Sequence, residues 1–154
     1  MAAHPWDLWR DRLATELATL GEVEFLVFDH PVPPEQQQWS EPRRGFLGRK
    51  RAEPLPSGFV AQFAGQGQGV VLGNLAGAAL VGGHLDLTEE QDRQIRELGW
   101  KAPGDPGHYA PYAPDYTVTE WPHSDAAGLA RITVEALAIQ GASPDLDWTL
   151  RRDS

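Results

Sequence analysis

Few residues in this chain have the means for chemistry, and the pattern around each argues for a plainer role. His84 and Asp86 lie two apart, so on a strand both would point to one face and could begin a metal site. A site needs a third ligand, however, and His4, His30, His108 and His123 are scattered over segments that read as loops and ends. Surface histidine is the ordinary reading. Gly65-Gln-Gly-Gln-Gly69 resembles a phosphate loop, but a β-type run, Val70-Val-Leu72, follows where a helix N-terminus or a Lys-Ser/Thr pair would be needed. A hairpin turn explains it. There is no cysteine, which excludes thiol catalysis, disulfides and thiolate zinc sites. No Gly-x-Ser-x-Gly elbow is present, and Glu89, Glu90 and Asp92 open a solvated helix where the helix dipole accounts for them. Nothing points to an enzyme, a metal or a cofactor.

The elements that would position these groups fit one domain spanning residues 1–154, of which 41% are hydrophobic. A formal net charge of −9 disfavours nucleic acid and anionic membrane as partners, because binding polyphosphate depends on Lys and Arg. The apolar stretches are too short and too Gly-broken to span a bilayer, so a cytoplasmic location is expected.

Trp6, Trp9, Leu13, Leu17 and Leu20 make one helical stripe and predict a helix over about 5–20, capped by Gly21. The run 22–28 reads as a strand, with continuation of the helix as the second reading, and Phe59–Phe63, the Gly turn and Val70–Leu72 read as a hairpin. Residues 74–83 read as a third strand or its approach, completing an antiparallel meander. Thr88-Glu-Glu-Gln91 is a capping box that starts a second helix, with Glu89–Arg93 and Asp92–Arg96 as supporting pairs. Leu98-Gly99-Trp100 ends it in Schellman fashion, with Trp100 folding back on Ile95. A short strand at 116–120, a largely buried helix from 124 or 125 to 140, and a last strand at 145–151 complete the reading.

Two long connections remain. Residues 29–58 are Pro-rich, and Arg43, Arg44, Arg49, Lys50 and Arg51 place five cations and no acid within nine residues. Such a run either lies against the protein's own acidic surface or docks an acidic partner. Residues 102–123 hold Tyr109, Tyr112, Tyr116 and Trp121 among prolines. These rings either cover the core or line a groove for apolar side chains of an extended peptide.

The order of elements, with Leu87-Thr88 leading through Gln91 to Leu98-Gly99-Trp100 and Pro103, and an Ala-rich helix closing at Gly141 and Pro144-Asp-Leu146, resembles the TY-Chap domains of high-GC Gram-positive bacteria. These are relatives of type III secretion chaperones and of the YbjN family. The resemblance covers roughly residues 58–150, with the first helix fitting in place. His108-Tyr109 departs from the Asn-aromatic pair that often follows Gly-Trp-x-x-Pro, and the run 43–51 looks particular to this chain. What the resemblance implies is an α+β fold: a twisted antiparallel sheet, helices mainly on one face, no enzymatic activity, and a homodimer holding an extended client.

The leading expectation is therefore a peptide- or protein-binding chaperone or adaptor linked to a secretion or conflict system. Its candidate contacts are Phe59, Phe63, Val71, Trp100, Tyr112 and Trp121. The alternatives are an acidic immunity-type protein that neutralises a basic partner, and a small-molecule binder or enzyme using the His84–Asp86 region.

Overall fold

Thr88 starts the best-signalled helix as its sequence requires: its hydroxyl accepts from the Gln91 amide at 3.1 Å, and the Gln91 side chain accepts from the Thr88 amide at 2.8 Å. In the computed structural model, which describes residues 5–30, 59–79, 82–83, 85–112 and 114–153, this helix is α2, Glu89–Glu97. It follows α1 (Asp7–Ala18), β1 (Phe25–Asp29), β2 (Val60–Gly65) and β3 (Val70–Leu75), and precedes β4 (Tyr116–Pro122), α3 (Ala126–Ile139) and β5 (Thr149–Asp153).

The five strands form one antiparallel sheet in the order β4-β3-β2-β1-β5, a four-strand meander with β5 added beside β1. Period-two alternation sends Leu26, Phe28, Ala61, Phe63, Leu75, Tyr116 and Val118 to one face, where they are buried with Leu13 and Leu17 of α1, Ile95 of α2 and Leu129, Ile132 and Leu137 of α3. The helices thus share one side of the sheet. An α+β fold with helices on one face is what the sequence led one to expect.

One end of this core is closed by aromatics from distant parts of the chain. Trp148 stacks on Phe28 at 4.6 Å and meets Trp6 edge-on at 5.6 Å, while Trp9 lies 5.5 Å from Phe28. The Trp9 and Trp148 indoles donate to the carbonyls of Pro144 and Ser143, so the polar edge of each ring is satisfied.

The structure corrects several local readings. Of the two readings of 74–83, the described residues fit the approach and not the strand: Asn74 and Leu75 finish β3, and Ala78 makes only an isolated parallel bridge with Leu85. Gly77 explains this, since a Cβ there would stand 2.1 Å from the Pro114 carbonyl oxygen, so the glycine serves a close backbone approach. The first strand starts at Phe25 because Val23 adopts φ 62 and ends the preceding turn. Arg93 pairs with Glu90 and Glu97 instead of Glu89, one guanidinium bridging carboxylates at i−3 and i+4; Asp92–Arg96 forms at 3.6 Å. The full Schellman bond pair closes α3, from the amides of Gly141 and Ala142 to the carbonyls of Ala138 and Leu137. At α2 the final bonds are i→i−3, and Gly99 at φ +119 turns the chain so that Trp100 enters the core.

Trp100 has no exposure, and its indole donates to the Ile132 carbonyl at 3.1 Å. Trp100→Ala should therefore lower unfolding free energy by about 3–5 kcal/mol, and Thr88→Ala by about 1 kcal/mol. Urea unfolding followed by circular dichroism checks both.

Candidate functional site

Two concave surfaces lie on opposite sides of the sheet. The first is a groove of about 450 Å³ where the start of α1, the end of α2 and the outer flank of α3 meet. Its apolar surface comes from Trp6, Leu98, Val134, Ala138 and Ile139. Trp6 and Val134 are buried, Leu98 and Ile139 half-buried and Ala138 exposed, so the groove is an open edge of the hydrophobic core. On its rim each helix supplies an ion pair, Asp7–Arg10 from α1 and Arg131–Glu135 from α3, both at 3.1 Å. Opposite charges on each helix leave no net field to select a charged ligand. The groove suits uncharged apolar side chains.

The second is a cleft of about 580 Å³ on the face of the sheet away from the helices. The β2–β3 turn contributes Gln66 and Gln68, β4 contributes Thr119 and Glu120, and the connection after α2 contributes His108 and Tyr109. That connection is held to the sheet at several points. Lys101 and Thr117 exchange two backbone hydrogen bonds, at 2.8 and 2.9 Å. The Tyr109 amide donates to the Thr117 hydroxyl, and Asn74 donates to Asp115. His108 Nε2 sits 2.7 Å from the Asp115 carbonyl, which makes that nitrogen the protonated one. β4 carries a bulge here: Val71 pairs with Trp121 but Gly73 with Val118, so Thr119 and Glu120 together oppose Leu72. Glu120 takes φ 54, a left-handed conformation that costs a non-glycine residue energy and re-aims the side chain.

A polar network ties the two sides together. Arg96 of α2 makes a bidentate pair with Asp105 at 2.7 and 2.9 Å and reaches Asp92. Asp92 accepts from the Tyr116 hydroxyl at 2.6 Å. Burial, then the bond to the Asp92 carboxylate, pushes the Tyr116 phenol well above its usual range. It therefore stays a donor.

Of the six apolar residues expected to meet a client, Phe63, Val71 and Trp100 are almost wholly buried on the helix side of the sheet or beneath it. Phe59 is half-buried 6.4 Å from Trp148, and Trp121 is half-buried with its indole donating to the Asp125 carbonyl. Tyr112 ends a short 3₁₀ turn, Ala110–Tyr112, and its side chain lies outside the described residues. So do His84 and the cations Arg43, Arg44, Arg49, Lys50 and Arg51. Of the six, the five with described side chains line neither concavity. The sequence signal that could have found the groove was Trp6, Leu98 and Ile139, apolar residues at helix ends where a stripe runs out of partners. Among the described residues no three His, Asp or Glu side chains gather as metal ligands, and no helix is long and apolar enough to cross a membrane.

A family model described as T3SS (YopN, CesT) and YbjN peptide-binding chaperone 3, TY-Chap3, matches residues 1–145. The match takes in α1 and the Pro-rich segment as well as the later elements. No curated protein and no solved structure matches the chain.

Acid will act on the scaffold through Asp105. The Arg96 hydrogen bonds hold its carboxyl below the usual aspartate range. A lowered folded-state pKa adds stability above the unfolded value and loses it as pH falls through the folded one. Asp105→Asn should flatten the acid side of the melting temperature profile between about pH 5 and pH 2, as differential scanning fluorimetry would show; an unchanged slope would remove Asp105 from this role.

Proposed function

The chain belongs to the TY-Chap3 family of peptide-binding chaperones, and on that premise we propose that it is a non-catalytic cytoplasmic chaperone or adaptor that holds an extended segment of a client protein. The observation that supports this reading is the groove between α1, α2 and α3, an opening into the core whose rim charges are already paired. Apolar side chains of an extended segment gain most by entering such a place, since they leave water and displace no charge from its solvent. The occupant is thus an uncharged apolar stretch exposed before its owner folds or is exported.

Phe59 and Trp121, half-buried at the surface, extend the contact in this reading. Phe63, Val71 and Trp100 support it from within. The basic run from Arg43 to Arg51 docks an acidic stretch of the same partner, and a second copy of the chain completes a homodimer.

The charge of −9 favours one other reading, a neutraliser of a basic partner. The two separate by salt: a complex held by surface charge weakens steeply from 50 to 500 mM salt, roughly three to one in Debye length, whereas an apolar one persists.

Affinity purification from the source organism, with light scattering of the complex, should return one client at fixed stoichiometry. Ala138 is exposed at the groove, so Ala138→Arg should leave the fold intact and weaken client binding at least tenfold, about 1.4 kcal/mol, by isothermal titration calorimetry. Unchanged affinity would remove the groove from the reading.

A further inference from the structure

From the edge of the sheet we infer that β5 is a releasable strap. It fills, from within the chain, a site where an extended client segment with an apolar residue followed by two arginines takes its place beside β1. The inference rests on the proposed peptide-binding role and gives it a second site, a ligand chemistry and a means of closing that site.

The strap is firmly fixed at one end only. Trp148 is 7% exposed, stacks on Phe28 and donates to the Ser143 carbonyl. Beyond it Thr149, Arg151, Arg152 and Asp153 are exposed, and Leu150 is half-buried. β5 therefore sends no large side chain fully into the core, and is held by its backbone ladder to β1 and by charge. Exposed ion pairs hold weakly, and a strand with few buried contacts is among the first parts of a fold to open. Among the described residues no strand pairs with its outer side.

The edge that β5 covers is of another kind. β1 begins Phe25-Leu-Val-Phe28, apolar and β-prone, with Leu26 and Phe28 buried. Left open, such an edge adds a further strand readily, whereas cations on an edge discourage pairing. By presenting Arg151 and Arg152, β5 replaces an adhesive edge with an inert one. The match over residues 1–145 takes in the four-strand meander, in which β1 is outermost, and stops short of β5.

The chemistry of the client follows from what β5 brings to the site. Register sets Leu150 opposite Phe28, Arg151 opposite Val27 and Arg152 opposite Leu26. Arg152 reaches the end of α1, where its Nη2 donates to the Glu16 carbonyl at 2.6 Å and the Thr19 hydroxyl at 2.8 Å. The same nitrogen pairs with the Glu16 carboxylate at 2.9 Å, and Nη1 stands 4.0 Å from Glu24. These oxygens are held without help from β5: Glu16 and Thr19 belong to the end of α1, whose dipole favours a cation there, and Glu24 accepts from the Gly21 amide. On the other face Arg151 lies 3.7 Å from Asp29, which also accepts from the Thr149 hydroxyl. A strand that replaces β5 meets the same oxygens, and a forked guanidinium engages several of them at once.

The test uses the full chain and a fluorescein-labelled peptide, Gly-Thr-Leu-Arg-Arg-Asp-Gly, beside a version with citrulline in place of both arginines. The chain has no cysteine, so Phe25→Cys together with Asp153→Cys introduces a single disulfide that locks the free end of β5. The two positions are register partners, and Cα atoms paired in this way, about 4.5–5.5 Å apart, suit the bond. In fluorescence anisotropy the reduced double variant should bind the arginine peptide at least fivefold tighter than the citrulline one. Oxidation should weaken that binding at least tenfold, and reduction should restore it. Arg152→Gln should loosen the strap and raise affinity at least threefold, and adding Glu16→Gln should reverse the gain, with melting curves confirming that each variant is folded. Binding indifferent to oxidation, an affinity unchanged by Arg152→Gln, or equal binding of the citrulline peptide would overturn the inference. If any of these is seen while an apolar peptide still binds in a manner blocked by Ala138→Arg, the strap alone fails. If no peptide binds at either place, the chaperone reading fails with it.

Discussion

Everything on both faces of this protein hangs on the turn at Gly99 and the burial of Trp100 behind it. Gly99 takes a backbone conformation that a side chain would oppose, and the largest side chain in the sequence follows at once, fully buried and bonded to the Ile132 carbonyl of α3. Leu98, on the near side of the turn, is left at the groove. Lys101, on the far side, pairs with Thr117 and starts the connection that walls the cleft. One reversal of the chain therefore leaves Leu98 at the groove and sends the chain on to His108 and Tyr109 at the cleft, with the core between them.

One-sided packing of the helices is the second constraint. Burying Leu, Ile and aromatic side chains on one face of a five-stranded sheet satisfies that face and leaves the other to be covered by loops or ligand. On the helix side the core stays open along α3, where, among the described residues, no further helix covers Ala138 and Ile139. On the far side the connection over 101–112 covers β4, but Phe25 on β1 stays half exposed. A peptide-binding domain needs apolar surface that its own fold does not consume, and this arrangement supplies it on both sides.

The electrostatics keep those surfaces distinct. Around the groove, acids and bases pair along their own helices, so selection there is by shape and hydrophobicity. At the cleft a carboxylate, Glu120, is presented on a bulge, with no ion pair to it among the described residues. Between them the chain Tyr116–Asp92–Arg96–Asp105 links the sheet, α2 and the following loop. These bonds are specific in direction where the apolar core is not, so they set how α2 lies over β4.

Much of this was written in local sequence. The capping box, the amphipathic stripe of the first helix, the Gly-rich hairpin and the buried third helix are short-range patterns, each decided by neighbours within a turn or a pairing, and each appears where its residues put it. The family too was legible, from Thr-x-x-Gln leading to Leu-Gly-Trp and Pro, and the wider match over residues 1–145 agrees with it. Which aromatics would be exposed was not legible, because burial depends on partners distant in sequence: Trp6 and Trp148 meet across more than a hundred residues, while Phe63 and Trp100 are drawn under the helices. Register across four strands, the bulge at Glu120 and the close approach at Gly77 are likewise long-range facts. A single residue's chemistry cannot announce them, since hydrophobicity says only that a side chain will leave water, and the tertiary structure alone decides whether it does so in the core or against a partner.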